Sequence, residues 1–358
     1  MKRKSSPAGA ARRGHSGLDS IHPNAAGIDV GSEMHFVAVP EDRDPQPVRS
    51  FRSFTGELHR LADWLLACGI TTVAMESTGV YWIPLYEILE SRGFEVLLVN
   101  ARHVKSVPGR KSDVVDCQWL QQLHRFGLLR GSFRPTAEIA ALRSYLRHRE
   151  QLVEAAAACI QRMQKALVLM NVQLHTVISD LTGVTGMRIL RDILGGETCP
   201  ERLARHRDHR CKASAEEIAA SLTGHYQPEH LFALRQTLEL YDVYQEKLVA
   251  CDTVIEAKRH ALGARCEPPQ AALPTPRTSR KPARGAPRFE IRSPLFVLTG
   301  GVDLTQLPGI GPYNALRLLS EIGVDMSRWP SEKHFASWQR PQQPRHRGLL
   351  STPRRTRR

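Results

Sequence analysis

The order of strands and helices in residues 26–126 constrains the fold more than any other feature of the chain. Five segments are short, apolar or β-branched, and bounded by turn residues, which is typical of strands. These predicted strands are residues 26–30, 35–39, 48–54, 71–76 and 95–100. The first three follow one another closely, as in an antiparallel meander, and the fifth reads as a buried parallel strand. Helices are predicted from Thr55, as the N-cap, to Leu66 and from about Pro84 to Ser91.

Four carboxylates lie where this pattern ends a strand or forms one face of a helix. Asp29 lies within Gly27–Gly31, and Glu76 ends the fourth predicted strand. Asp113 and Asp116 are three residues apart and therefore share a face if their segment is helical. Carboxylate oxygens suit Mg²⁺, and two metal ions can stabilise both the attacking and the leaving oxygen of a phosphoryl transfer. We therefore predict that these four acids converge as a catalytic Mg²⁺ site.

Each of these motifs also has a purely structural interpretation. The Gly27–Gly31 segment alone is compatible with a strand running into an ordinary turn. Glu76 alone is compatible with an N-cap or an exposed strand end. Asp113 and Asp116 alone are compatible with a solvated helix face. The order of all four acids within one pattern of strands and helices favours the catalytic interpretation.

The charge of the chain is concentrated outside the segments predicted to fold. The net charge is +14, of which residues 1–20 carry +4, residues 264–292 carry +5 and residues 339–358 carry +7. Flexible basic segments bind nucleic-acid phosphates without reading sequence, although a disordered, solvated role is the alternative. The seven cysteines include no Cys-x-x-Cys pair, which argues against a zinc site and a disulfide framework and indicates a reducing cytoplasm. No apolar run is long enough to cross a membrane, and no secretory signal is recognisable.

The second half of the chain has mainly helical patterns. Residues 137–180 and about 229–261 each carry an apolar stripe at helical spacing, which predicts an antiparallel pair of long helices. Such a coiled-coil arm often mediates self-association. A later segment, Leu307–Gly323, resembles a helix-hairpin-helix element in which Gly309 and Gly311 let backbone N–H groups approach a nucleic-acid phosphate. A tight turn that only packs is the alternative.

The four-acid set and the later Pro308–Gly311 turn resemble the DEDD-type insertion-sequence transposases, which are related to the Piv/MooV DNA invertases. The resemblance covers roughly residues 22–338. It implies a ribonuclease H-like fold similar to the resolvase RuvC, with Mg²⁺ bound by Asp29, Glu76, Asp113 and Asp116. It also implies DNA strand cleavage and rejoining, guidance by a structured RNA, and a serine in the C-terminal domain that attacks the DNA phosphate.

The resemblance also implies a fold, a domain organisation and a set of binding partners for this chain. We expect an α/β ribonuclease H-like (RuvC-like) N-terminal domain, a long helical or coiled-coil arm, and a small α-helical C-terminal domain in a bacterial cytoplasmic protein. The expected partners are DNA at the element ends and target, a structured guide RNA, and further copies in a dimer or tetramer. The residues expected to bind nucleic acid are Lys105, Arg110, Lys111, Gly309 and Gly311. The predicted segments are a basic head (1–21), the RuvC-like domain (22–130), the arm (131–263), a basic Pro-rich linker (264–292), a partial transposase domain (293–338) and a basic tail (339–358).

The sequence departs from the family pattern after Trp338. The family continues with a Ser-Gly-Gly-Lys-like segment that bears the nucleophile, whereas residues 339–358 have no acids and no apolar period, as in a shifted reading frame. Ser351 stands in a different context and is not assigned the nucleophile role. We therefore expect a truncated or frameshifted transposase that lacks a complete recombination site, with a programmed frameshift or a genuine short variant as alternatives.

Other functional classes fit parts of the sequence. A metal-dependent endonuclease of the resolvase type would use water as the nucleophile and would need no serine. A non-catalytic nucleic-acid-binding regulator would retain binding without cleavage. An actin-like ATPase fits Gly27–Gly31 but lacks the later glycine-rich phosphate loops.

Overall fold

The computed structural model describes residues 19–77, 79–100, 113–277 and 285–339, without the side chains of residues 113–115 and 337–339. The chain forms two compact units, Met1–Arg134 and Pro135–Arg358. Of the residues predicted to bind nucleic acid, Lys105, Arg110 and Lys111 lie outside the described residues, as does the segment from residue 340 onward.

The first unit is built on a mixed five-stranded sheet with the spatial order β3-β2-β1-β4-β5. Its strands are β1 (Ala25–Val30), β2 (Met34–Ala38), β3 (Val48–Arg52), β4 (Thr72–Glu76) and β5 (Glu95–Val99). Strands β1, β2 and β3 form an antiparallel meander, while β4 and β5 extend the sheet in parallel from β1. This mixed sheet with its helices fits the predicted ribonuclease H-like domain.

Helices cover both faces of this sheet. Helices α1 (Thr55–Ala67) and α2 (Trp82–Ser91) pack their leucines against one face, where Ile28, Val73 and Met75 form the main core of the unit. Helix α3 (Asp113–Arg125) packs against the other face through Leu120, beside Ala74 and Val99. The alternation of side chains along β1 and β4 therefore separates an apolar core face from the face that α3 covers.

Two element boundaries in the first unit differ from the prediction. Strand β3 ends at Arg52 rather than at residue 54, and Phe54, rather than Thr55, is the N-cap of α1, so the chain leaves the sheet to enter the helix. Helix α2 begins at Trp82, before the predicted Pro84, because proline is tolerated in the first turn of a helix.

The second unit contains two long antiparallel helices. They are α4 (Ala137–Leu169) and, after a connecting region, α9 (Pro228–Gly263). The N-terminal part of α4 lies beside the C-terminal part of α9, since Leu142 and Leu146 share a core with Cys251 and Ile255. The coiled-coil arm and a separate C-terminal domain remain predictions.

The first long helix ends earlier than the predicted residue 180. Helix α4 ends at Leu169, and Asn171 then adopts a left-handed conformation with φ 56°, which a helix cannot continue. The connecting helices are α5 (Leu174–Val177), α6 (Val184–Leu194), α7 (Pro200–Ala204) and α8 (Ala215–Leu222). Their apolar side chains form a second core with the end of α4 and the start of α9.

Arginine side chains of α4 attach the C-terminal helices within this unit. These helices are α10 (Arg292–Leu298), α11 (Pro312–Ile322) and α12 (Glu332–Gln339), with a 3₁₀ turn at Leu304–Gln306. Arg143 donates to the carbonyls of Ser320 and Glu321 at 3.1 and 2.8 Å, near the C-terminus of α11. Arg147 forms a two-pronged pair with the Glu321 carboxylate. The bonds from Arg143 satisfy carbonyls that a helix end leaves without intrahelical partners.

In the described part of the chain, no helix combines the length and the apolar content that crossing a bilayer requires.

Candidate active site

The fold places two of the predicted acids next to each other. In the parallel pair of β1 and β4, Ile28 lies opposite Met75, so the next positions in register are Asp29 and Glu76. Residues in register on neighbouring strands project from the same face, with strands about 4.8 Å apart. Asp29 is partly buried and Glu76 is only 6% exposed. The sheet therefore presents two carboxylates side by side at the C-terminal ends of two central strands.

Helix α3 lies across the same face of the sheet. Positions 25, 27 and 29 of β1 share this face, and Gln121 of α3 donates its Nε2–H to the carbonyl of Ala25 at 3.2 Å. Farther along the strand, Gly27 lies directly beneath the backbone of Cys117 and Gln121. The residue numbers of α3 thus fall as those of β1 rise, so the two elements are antiparallel. The N-terminus of α3 consequently points toward the strand ends that carry Asp29 and Glu76.

Cys117, one residue after Asp116, is fully buried where α3 packs on β1. Burial, with smaller contributions from the negative charges of Asp29 and Asp116, raises the pKa of the Cys117 thiol to about 12. The backbone of Cys117 lies directly on Gly27, so α3 carries Asp116 on the same face of the sheet as Asp29. Asp116 is partly buried there.

The fourth predicted acid, Asp113, is the first residue of α3, and its side chain lies outside the described residues. Among the side chains that the structure describes, no three from His, Cys, Asp and Glu are close enough together to hold a metal ion. The structure places Asp29 and Glu76 side by side, and α3 carries Asp116 over the same face of the sheet. The assignment of all four acids as metal ligands remains a prediction.

The C-terminal half of α3 is fixed by buried polar contacts that sequence reasoning missed. His124 is 3% exposed, its Nε2 lies 2.8 Å from Thr72 Oγ1, and its ring stacks on His22 with centroids 4.9 Å apart. Thr72 Oγ1 also donates to the carbonyl of Glu95, so it accepts from His124, which must be the Nε2–H tautomer. Burial, with a smaller contribution from the charge of His22, lowers the pKa of His124 to about 4. The spacing of positions 117, 121 and 124, which marks one helix face, was the available signal.

Two of the residues predicted to bind nucleic acid, Gly309 and Gly311, lie in the turn before α11. Gly309 has φ +88°, and Gly311 is the N-cap of α11. Both glycines are exposed, and a Cβ built on either would meet no other atom within 4 Å. Helix α11 instead packs through Ala315, Leu316 and Leu319 in the core that it shares with α4. The turn is therefore accessible, and the fold itself does not require a glycine at position 311.

The comparisons with known proteins fall on both of these regions. Residues 26–172, which include all four acids, match a family model for transposases of the DEDD, IS110 type. Residues 303–340, which include the turn, match the model of the transposase IS116/IS110/IS902 family. No curated protein matches the chain. The two matched segments together cover more than half of the sequence. The chain therefore belongs to the IS110 family of DEDD insertion-sequence transposases.

Proposed function

We propose that this transposase binds DNA, that Asp29, Glu76, Asp113 and Asp116 hold Mg²⁺ for strand cleavage and rejoining, and that both steps also need the family's serine segment, which residues 339–358 do not match. The observation that carries this proposal is the adjacent placement of Asp29 and Glu76 in register on two parallel strands. The proposal is supported by the packing of α3 on the same face, where the backbone of Cys117, one residue after Asp116, lies on Gly27 of β1.

The described acids fit a divalent metal by their chemistry. Their donors are hard carboxylate oxygens, which Mg²⁺ and other hard divalent ions prefer. When bound, Mg²⁺ would polarise the scissile phosphate and stabilise the attacking and leaving oxygens. The chain contributes rigidity, because Asp29 and Glu76 extend from hydrogen-bonded central strands and α3 is held by buried contacts. Such preorganisation spares the site from reorganising when charge develops on the phosphate.

The exposed turn at Gly309 and Gly311 is proposed to contact a nucleic-acid phosphate. Replacing Gly311 with Ala adds a methyl group into open space at φ −88°, so we expect unfolding stability to be retained. The same methyl group would obstruct a phosphate that approaches the backbone N–H groups. We therefore expect Gly311→Ala to bind DNA more weakly than the unmodified chain does. The affinity is measured at low salt by fluorescence anisotropy with a labelled duplex. Unchanged affinity would contradict a role for this turn in binding.

Lys105, Arg110, Lys111 and the basic segments are proposed to contact DNA or a structured guide RNA through phosphates. Such contacts should weaken steeply as salt is raised. RNA guidance is tested by adding RNA transcribed from the non-coding DNA that flanks the gene and measuring site-specific strand exchange. Assembly as a dimer or tetramer is tested by light scattering in the presence and absence of this nucleic acid.

The central experiment compares Glu76→Gln with a matched control, Glu95→Gln. Both are the same chemical change in the same sheet, but Glu95 is exposed and lies opposite Thr72, at the far end of the parallel strands. Each change is made in this chain and in a version with the reading frame restored after Trp338, and each protein is incubated with Mg²⁺ and a plasmid carrying the gene with its flanking DNA. We expect Glu76→Gln to reduce cleavage and strand transfer by at least about 10²-fold and Glu95→Gln to retain both, because one carboxylate acts at the reacting phosphate.

The products of the same assay distinguish the rival functions. A detergent-resistant protein–DNA adduct that forms only in the version with the restored reading frame identifies the family's serine as the nucleophile, as the transposase proposal expects. Cleavage without an adduct identifies the resolvase-type endonuclease, in which water attacks. DNA binding without cleavage, unchanged in Glu76→Gln, would contradict the catalytic proposal and identify a binding regulator.

A further inference from the structure

Strand β1 and helix α3 touch through their backbones at Gly27. A Cβ built on Gly27 would lie 2.8 Å from Gln121 Cα and closer still to Gln121 N and Cys117 O. All three atoms belong to the helix backbone, so no side-chain rotation can make room. Restoring ordinary van der Waals contact would require α3 to move away from the sheet by about 1 Å. Glycine is therefore the only residue that permits this depth of packing.

The C-terminal end of α3 cannot easily follow such a movement. The carbonyl of Arg125 accepts backbone N–H groups from Ile21 and His22 at 3.0 and 2.9 Å. One residue earlier, His124 donates to Thr72 at 2.8 Å. A helix lifted near Gly27 would pivot about this anchored end. With a rise of about 1.5 Å per residue, a lift of about 1 Å in the middle of α3 becomes about 2 Å at its N-terminus.

We infer that Gly27 is a positioning residue for the active site, because it sets the depth at which α3 carries Asp116 and Asp113 over the strands that carry Asp29 and Glu76. This inference rests on the proposed function of those acids. Gly27 itself touches neither metal nor substrate. Its absent side chain lets the helix approach the strand closely enough for acids from two elements to serve one site. A misplacement of about 1 Å can cost an enzyme about 10²-fold in rate.

The test uses Mn²⁺ binding by the full chain, measured from the electron paramagnetic resonance signal of free Mn²⁺. Gly27→Ala is compared with Gly56→Ala, which makes the same change in the same unit where a Cβ meets nothing within 4 Å. We expect Gly27→Ala to lower Mn²⁺ affinity at least about 10-fold and, in the version with the reading frame restored after Trp338, to lower Mn²⁺-supported DNA cleavage about 10²-fold. We expect Gly56→Ala to change neither.

Two further measurements separate positioning from general destabilisation. Affinities are determined well below the unfolding temperature of each variant, where lower stability alone leaves the Mn²⁺ affinity of the folded chain unchanged. Hydrogen exchange of the α3 amides should accelerate most toward the N-terminus of the helix in Gly27→Ala. A folded Gly27→Ala variant that binds Mn²⁺ as tightly as the unmodified chain would overturn the inference.

Asp29→Asn makes this result distinguishable from a failure of the proposed function. If the unmodified chain binds Mn²⁺ and Asp29→Asn does not, the acids are ligands and Gly27→Ala tests their positioning alone. If Asp29→Asn binds as the unmodified chain does, the proposed function fails, and the positioning role fails with it.

A second variant decides the matter if Gly27→Ala does not fold. Thr72→Val keeps the shape of the side chain but removes the hydroxyl that accepts from His124. Loosening the anchored end of α3 should then lower Mn²⁺ affinity at least about 3-fold, since the helix loses a buried hydrogen bond. Unchanged affinity in that variant would overturn the inference.

Discussion

The buried imidazole of His124 should make the first unit lose stability in mild acid. Its ring is almost fully enclosed, donates to Thr72 and stacks on His22, so the neutral form fits and the charged form does not. Burial therefore lowers the pKa of His124 from 6.5 to about 4. In the unfolded chain the imidazole regains its ordinary pKa.

The sign and size of the effect follow from proton linkage. Between about pH 6.5 and pH 4 the unfolded state binds a proton that the folded state does not, so the free energy of unfolding falls as pH falls. Above this window both states are neutral, and below it both are protonated, so the slope vanishes on either side. At about 1.4 kcal/mol per unit of pKa difference, the full loss is about 3 kcal/mol. Burial also lowers the pKa of His35, which adds a loss of the same sign.

The assay is urea denaturation at pH 7, 6, 5 and 4. Unfolding is monitored by hydrogen exchange of the β4 amides, so that the stability of the first unit is measured by itself. His124→Gln retains an N–H donor near Thr72 but cannot be protonated. Its unfolding free energy should fall about 3 kcal/mol less than that of the unmodified chain across this window. The control His59→Gln removes an exposed histidine and should leave the pH dependence unchanged. An undiminished pH dependence in His124→Gln would refute the assignment.

Two further predictions concern the second unit. Asp252→Ala should lower the free energy of unfolding by about 3 kcal/mol in urea, because it leaves the guanidinium of Arg149, which is 2% exposed, without its carboxylate. Asp242→Ala, which breaks an exposed pair, should cost no more than about 1 kcal/mol, and equal costs would contradict the burial argument. Gly186→Ala should lower the melting temperature although alanine favours helices, because the new Cβ would lie 2.7 Å from the carbonyl carbon of Leu181. A higher melting temperature would contradict that steric reading.

The sheet was predictable because its signals are local. Each strand is a short apolar run between turn residues, and the observed bounds of β1, β2, β4 and β5 differ from the predicted ones by a residue at most. The end of α4 was not predictable in the same way. Residues after Leu169 keep apolar side chains at helical spacing, but these side chains serve the core of the connecting helices rather than an extension of α4. Periodicity records burial and does not say which element a residue is buried against.

In the candidate site, too, local sequence patterns identified some of the residues and missed others. Asp29 and Glu76 were identified from their positions in strands, and the parallel register places them side by side without further assumptions. The contribution of Gly27 was hidden, because a glycine after two alanines gives no sequence signal that a helix backbone will lie on it. His124 and Gln121 were hidden for a related reason. Polar residues on a helix are usually exposed, so burial is not predicted for them unless the strand that packs against that face is known.

The strand acids Asp29 and Glu76 and the helix acid Asp116 are therefore held in place by different interactions, and metal binding should depend on both. The register of Asp29 and Glu76 is fixed by strand hydrogen bonds. The approach of Asp116 depends on the packing of α3 and on polar contacts such as that between His124 and Thr72. A metal ion that bridges both elements would favour the docked helix by mass action, with a stabilisation that grows with metal concentration. Metal binding and α3 docking should therefore strengthen each other, and hydrogen exchange of the α3 amides should slow as Mn²⁺ is added. That protection should be lost in Asp29→Asn, because the ion then lacks its carboxylate ligand on β1 and can no longer link α3 to the sheet.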